Sequence, residues 1–139
     1  MQSAGIYIHI PFCKVKCNYC DFYSVADQDN NITEFIDSII LEIDRFKLNT
    51  SNWEFNSMYI GGGTPSMLNA VHVENVLSSL SKKYDLSRIK EFSIEVNPGE
   101  TTLDQLIDLR TLGINRLSIG IQSFDSGILK FLTRTHNSN

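Results

Sequence analysis

The sequence predicts an α/β fold with about four βα units of parallel sheet, the first half of an eight-unit barrel or roughly two thirds of a six-unit one. Three observations lead there. Segments of period two and period 3.6 alternate in the order βαβαβαβα, which pairs strands in parallel through right-handed crossovers. The four chemically unusual stretches of the chain each follow a strand, so all of them fall on one rim of the sheet. Finally, 139 residues at 42% hydrophobic and 20% charged are enough to bury a core, and no apolar run reaches the ~20 residues that span a bilayer.

Each element has its own signal. Gly5–Ile10 (GIYIHI) has the β-branched and aromatic content of a strand. Residues Asn31–Leu48 read as a helix, because Ile32, Phe35, Ile36, Ile39, Ile40 and Ile43 recur at helical spacing. Asn31 with Glu34 three residues on resembles a capping arrangement at its start. Phe55–Ile60 is the second strand, ended by Gly61. Leu68–Lys82 is the second helix, with Leu68, Val71, Val76, Leu77 and Leu80 on one apolar face. Ile89–Val96 forms the third strand and Thr102–Leu112 the third helix, closed by Gly113. Arg116–Ile121 is the fourth strand, and Asp125 caps a helix of barely two turns. No repeat, low-complexity tract or linker interrupts this order. Such a sheet exposes a parallel edge, whereas parallel sheets bury both faces. The expectation is therefore that residues 1–139 are the N-terminal part of a truncated core domain, without the remaining strands and any C-terminal domain.

Charge narrows the function. A net charge of −4 with scattered Lys and Arg argues against a nucleic-acid partner. The opening Met1-Gln2-Ser3-Ala4-Gly5 lacks the basic region of a signal peptide, so a cytoplasmic location is expected.

All three cysteines lie between residues 13 and 20, an odd set that makes a poor disulfide framework and a good metal or redox site. Cys13, Cys17 and Cys20, spaced C-x3-C-x2-C, let one short loop wrap three thiolates around one centre. Three ligands on a cubane cluster leave one iron open for chemistry. A Cys3His zinc site with His9 as fourth ligand is the alternative, although zinc sites usually pair two C-x2-C knuckles and no second pair exists. Gly61-Gly62-Gly63-Thr64-Pro65 suits close approach of backbone to a small polar ligand, or simply a tight turn. On the residues alone, Glu95 and Gln122 are equally readable as structural polar groups at the rim. Arg134 reads as a solvated helix charge, His9 as a hydrogen-bonded structural residue, and His136 carries no assigned role.

At this point the motifs resemble a known family. Tyr7-Ile8-His9-Ile10-Pro11-Phe12-Cys13, followed by Cys17 and Cys20, is similar to the opening of the oxygen-independent coproporphyrinogen III oxidases, which are radical S-adenosylmethionine (SAM) proteins. The Gly61–Pro65 run, Glu95-Val96-Asn97-Pro98 and Asn115–Phe124 resemble that family's later motifs in the same order, so the resemblance covers nearly the whole chain. The oxidases carry a further cysteine two residues after the third. Here Asp21 and Phe22 follow Cys20, which, with the Leu132–Asn137 run, resembles the HemW-type haem chaperones of the family.

The resemblance implies a partial radical-SAM (β/α) barrel, a 4Fe–4S cluster on Cys13, Cys17 and Cys20, and SAM chelating the open iron. It places Tyr7 and Tyr19 near the cofactor and the Gly62-Gly63-Thr64 backbone at the SAM amino group or a neighbouring ligand. Glu95, Gln122 and Arg134 match positions that contact SAM or a second SAM-like ligand. It implies binding of haem or porphyrin and delivery to a haem-requiring target protein. An electron donor of flavodoxin or ferredoxin type follows, with membrane contact only through the target. Two alternatives stay open. One is an oxidase in which a 5′-deoxyadenosyl radical, formed by one-electron cleavage of SAM, takes hydrogen from a propionate of coproporphyrinogen III. The other is a zinc-stabilised binding module. No catalytic residue is assigned, and the chain alone is expected to be inactive and poorly soluble.

Overall fold

Alternation of side chains along each strand sets up a sheet with two unlike faces. Ile8, Ile10, Met58, Ile60, Phe92, Ile94 and Val96 are buried, while the residues between them include Tyr7, His9, Tyr59, Ser93 and Glu95. The computed structural model describes residues 1–137 except Leu48 and Ser51. It runs β1 (Gln2–Ile10), β2 (Phe12–Cys13), β3 (Val25–Ala26), α1 (Ile32–Arg45), β4 (Trp53–Gly62), α2 (Ala70–Ser81), β5 (Glu91–Val96), α3 (Leu103–Thr111), β6 (Arg116–Ile119) and α4 (Ser126–Phe131). Short 3₁₀ turns occupy Asp29–Asn31 and Pro65–Met67.

The main sheet is wholly parallel in the order β1-β4-β5-β6, as the βα alternation requires. Its apolar face packs against Ile32 and Ile36 of α1, Val73, Val76 and Leu80 of α2, Leu109 of α3 and the following Ile114. Each such side chain stabilises the fold by about 1.5–3 kcal/mol relative to leaving it in water. In register, Ile10 pairs with Gly62 and Val96 with Ile119, so the C-terminal ends of the strands lie along one edge. No described helix is long and apolar enough to cross a membrane.

Several boundaries differ from expectation, each for a local reason. The Asn31–Glu34 cap does not form, because Asn31 is in helical conformation inside a 3₁₀ turn and its Nδ2 donates to Gln28 Oε1 at 2.6 Å. The first helix ends at Arg45, and its expected end at Leu48 lies outside the described residues. The second helix begins at Ala70 because Asn69 caps it, in a capping box that His72 completes. Val71 is 59% exposed, and Val73, three residues before Val76, takes its place on the apolar face. Glu91 rather than Ile89 opens β5, and β6 stops at Ile119, where Gly120 N–H reaches back to Val96 O at 3.0 Å. The expected Asp125 cap forms, accepting from Ile128 backbone N–H, and Thr102 caps α3 by accepting from Gln105 backbone N–H. Gly113 closes α3 at φ +98°.

Candidate functional site

The cysteine loop leaves β1 at Pro11 and returns at Val25. The two-residue strands β2 and β3 lock its base, with Val25 N–H donating to Pro11 O at 2.8 Å. Cys13 is buried at the end of β2, Cys17 and Cys20 are half-buried in the loop, and all three are free thiols. A turn between the latter two is closed by Cys20 N–H to Cys17 O at 3.1 Å. Lys16 ties down the outer limb through Ser24 O at 3.2 Å.

The glycine run lies directly against this loop. Gly63 N–H donates to Ile10 O at 2.8 Å and Thr64 N–H to Phe12 O at 2.7 Å. A Cβ on Gly63 would sit 2.6 Å from Phe12 O and 2.8 Å from Cys13 Sγ. Gly62 has φ +129°, a region that side chains avoid, so both positions require glycine. Gly62 N–H donates to Glu95 Oε2 at 3.0 Å. All three N–H groups of Gly62, Gly63 and Thr64 are thus engaged within the fold. The run therefore has no N–H to spare for a ligand; of its carbonyls, that of Thr64 already accepts from Met67 N–H at 3.0 Å.

Glu95 is held on two sides, its Oε1 accepting from Tyr59 O–H at 2.8 Å. Burial, followed by the Glu95 charge, pushes the Tyr7 phenol above its ordinary value. The Tyr59 phenol is raised chiefly by burial, with Glu95 adding to it against the pull of Ser118 and Arg116. Arg134 stands beyond α4 in a turn folded back over the rim. Its Nη2 donates to Asn97 Oδ1 at 2.7 Å and Gly120 O at 2.8 Å, and its Nη1 approaches Cys17 Sγ at 3.6 Å. The reading of Arg134 as a solvated helix charge is therefore corrected. Its Nε is buried without a partner. Gln122 adopts φ +68°, a strained conformation of the kind that persists where surroundings enforce it. Burial pushes the Tyr19 phenol up, with Arg134 opposing and Cys17 reinforcing the shift.

These groups share one cavity of about 420 Å³ lined by the three cysteines, Tyr19, Gly62, Gly63, Thr64, Glu95, Gln122 and Arg134. Tyr7 is not on its wall. It lies three residues before the end of β1, about 10 Å below the rim at strand spacing. There it stacks on Tyr59 at 6.1 Å between ring centroids and bonds His9 Nδ1 at 3.0 Å. His9 Nε2 lies 3.0 Å from Tyr23 O, which can only accept, so Nε2 carries the proton and Nδ1 accepts from Tyr7. Both His9 nitrogens are committed in this way. His136 Nε2 likewise bonds Ile121 O at 3.0 Å. Sequence reasoning assigned no role to Lys16, Asn18, Asn97 or Thr133, whose partners are remote or conformational.

The donor set suits an iron–sulfur cluster. Soft thiolates take up iron–sulfur clusters, as they do zinc and copper(I), and the cavity adds the glycine run and an orphaned Arg134 N–H. Among the described residues no three His, Cys, Asp or Glu side chains converge as the ligands of a single metal ion would. Ligands of a cluster stand further apart, because iron and sulfide lie between them.

The model of the radical SAM superfamily matches residues 7–139. The chain belongs to the radical SAM superfamily. The haem chaperone HemW of Buchnera aphidicola (from Acyrthosiphon pisum) is 40% identical over 139 residues, covering 99% of this chain and 37% of that protein. HemW of Escherichia coli K12 is 36% identical over 137 residues, 98% of this chain and 36% of its own length. The radical SAM chain thus spans little more than a third of these relatives. A solved structure of the radical SAM enzyme coproporphyrinogen III oxidase (HemN) from Escherichia coli superposes with a TM-score of 0.87 at 30% identity. That match covers 98% of the radical SAM chain and 31% of HemN, and it extends the α/β assignment to the whole four-stranded parallel sheet.

Proposed function

We propose that the chain holds a 4Fe–4S cluster on Cys13, Cys17 and Cys20 with SAM at the open iron, and that it serves a HemW-type haem chaperone. The observation that carries this reading is the one cavity lined by all three free cysteines together with Gly62, Gly63 and Thr64. Relatives at 33–40% identity that carry the haem chaperone name support the second half.

The chain's own groups have distinct tasks. The Gly62 and Gly63 carbonyls accept from the SAM ammonium, for which N–H groups would be useless, while Thr64 O is engaged by Met67 N–H. Glu95, fixed by Tyr59 and Gly62, keeps lone pairs free to accept from a ligand hydroxyl. Arg134 holds positive charge beside the cluster thiolates, and Tyr19 and Gln122 close the wall over the bound cofactor. Tyr7, on the same face of the sheet, braces Tyr59 through their stacked rings. When bound, cluster and SAM supply one-electron reductive chemistry, which the protein orients and shields from water. Haem or porphyrin, a haem-requiring target, a flavodoxin- or ferredoxin-type electron donor and a cytoplasmic location belong to this reading.

The test is anaerobic reconstitution with iron and sulfide, followed by EPR before and after SAM. About four irons per chain and a reduced-cluster signal that changes with SAM are expected. Failure to incorporate iron, or a signal indifferent to SAM, overturns the cofactor assignment. The likeness to HemN favours a second reading as a coproporphyrinogen oxidase. Asp21 and Phe22 after Cys20 weigh against it. Incubation with coproporphyrinogen III, SAM and reductant separates the two, because only the oxidase forms protoporphyrinogen.

A further inference from the structure

The cysteine loop is locked at its base by β2 and β3, but its tip is held by the turn after α4, 115 residues on. Asn18, between Cys17 and Tyr19, makes two bonds to the turn after α4. Its backbone N–H donates to Thr133 Oγ1 at 3.1 Å, and its Nδ2 donates to Phe131 O at 2.8 Å. The Thr133 hydroxyl gives its own proton to Leu132 O at 2.6 Å, which leaves its oxygen as the acceptor that Asn18 requires. Thr133 adopts φ +56° to do this, an unfavourable region for a β-branched residue. Such strain persists only where neighbouring contacts over-determine it. The same turn sends Arg134 to Cys17 Sγ, Asn97 and Gly120.

We infer that Asn18 and Thr133 are positioning residues forming a clasp that presets the cysteine loop for its cluster. Neither side chain is a cluster ligand. Their contacts fix the segment between Cys17 and Cys20, so the second and third thiols are oriented before iron arrives. The clasp is read from the chain itself, and only its effect on loading rests on the proposed cluster.

The test compares Asn18→Asp, Thr133→Val and the conservative Thr133→Ser. Hydrogen exchange on the cluster-free chain is read at the Asn18 amide, with the Val76 amide in α2 as control. Loss of one hydrogen bond predicts about five- to tenfold faster exchange at Asn18 in Thr133→Val, none at Val76, and retained protection in Thr133→Ser. Asn18→Asp keeps the shape of the residue but loses the Nδ2 donor, and it is expected to raise exchange across residues 17–20. Iron incorporation is then expected to slow in Asn18→Asp and Thr133→Val, and the cluster's midpoint potential to shift, with Thr133→Ser at wild type. Unchanged exchange in Thr133→Val, or equal loss in Thr133→Ser, overturns the clasp. Altered exchange with unaltered loading and potential overturns its role in presetting the loop. If wild type itself takes up no iron, the cluster assignment fails while the exchange result still decides the clasp.

Discussion

Adding a single methyl group at Gly63 should disable the cluster seat without unfolding the sheet. An alanine Cβ there meets Phe12 O at 2.6 Å, Cys13 Sγ at 2.8 Å and Pro11 O at 2.8 Å. Two of the three obstacles are backbone, which cannot rotate away. Ordinary contact begins near 3.4 Å, so the glycine run and the cysteine loop must part by about 0.8 Å. Overpacking of this kind costs about 1–3 kcal/mol, and for a chain of this size each kcal/mol lowers the melting temperature by roughly 3–5 °C. The separation breaks the bonds from Gly63 to Ile10 and from Thr64 to Phe12 and moves Cys13 relative to its two companions. Gly99→Ala is the comparison. It has open space around the new Cβ but φ +75°, so its cost, about 1 kcal/mol, is conformational and remote from the thiols. The assay is thermal unfolding by circular dichroism paired with iron content after anaerobic reconstitution. Gly63→Ala should lose most of its iron and Gly99→Ala should keep it. Equal iron in both variants would refute the steric argument.

Other consequences are more local. Glu95→Gln can accept from only one of its two donors and turns an amide N–H toward the other, at a cost of about 1–3 kcal/mol in denaturant unfolding and with weakened SAM-induced EPR change. Arg134→Lys keeps the charge but loses the planar fork that reaches Cys17, Asn97 and Gly120 together, so cluster loading should fall although net charge is unchanged. The Tyr7 and Tyr59 phenols are raised in the folded chain, so above about pH 10 the unfolded state ionises first. Their contribution is fully present below that value. Stability should therefore fall as pH rises through it, and Glu95→Gln should bring ionisation of Tyr59 to lower pH in ultraviolet phenolate absorbance. His9→Phe removes both ring bonds and frees the Tyr23 carbonyl, which predicts lower thermal stability and faster proteolysis between Cys20 and Val25.

Strand and helix order was legible because burial on one face imposes a period that survives in any single sequence. Where only two residues pair, as in β2 and β3, there is no period to read. The misplaced Asn31 cap shows the limit of a local pattern. Asn31 and Glu34 have the right spacing, but Asn69 and His72 build the real box, with imidazole where a carboxylate or amide is usual. The three cysteines stood out in the sequence by spacing, and the fold brings all three to the wall of one cavity. Arg134 did not stand out, because its partner Cys17 lies 117 positions away and only tertiary folding joins them. Glu95 had an ambiguous signal for the same reason, since Tyr59 and Gly62 lie on the neighbouring strand. Tyr7 was placed by motif resemblance near the cofactor; the register sets it on the same face of the sheet as Glu95, stacked on Tyr59 and three residues below the end of β1.

The turn carrying Thr133 and Arg134 closes a site whose thiols lie more than a hundred residues earlier, Cys17 being 117 positions before Arg134. During synthesis the cysteine loop precedes that turn, and it is fastened at its base only while three further βα units are translated. The tip can be seated only after residue 134 has cleared the ribosome and folded back. On the proposed reading, the seat for iron is complete only once that turn has folded back against the sheet behind the thiols.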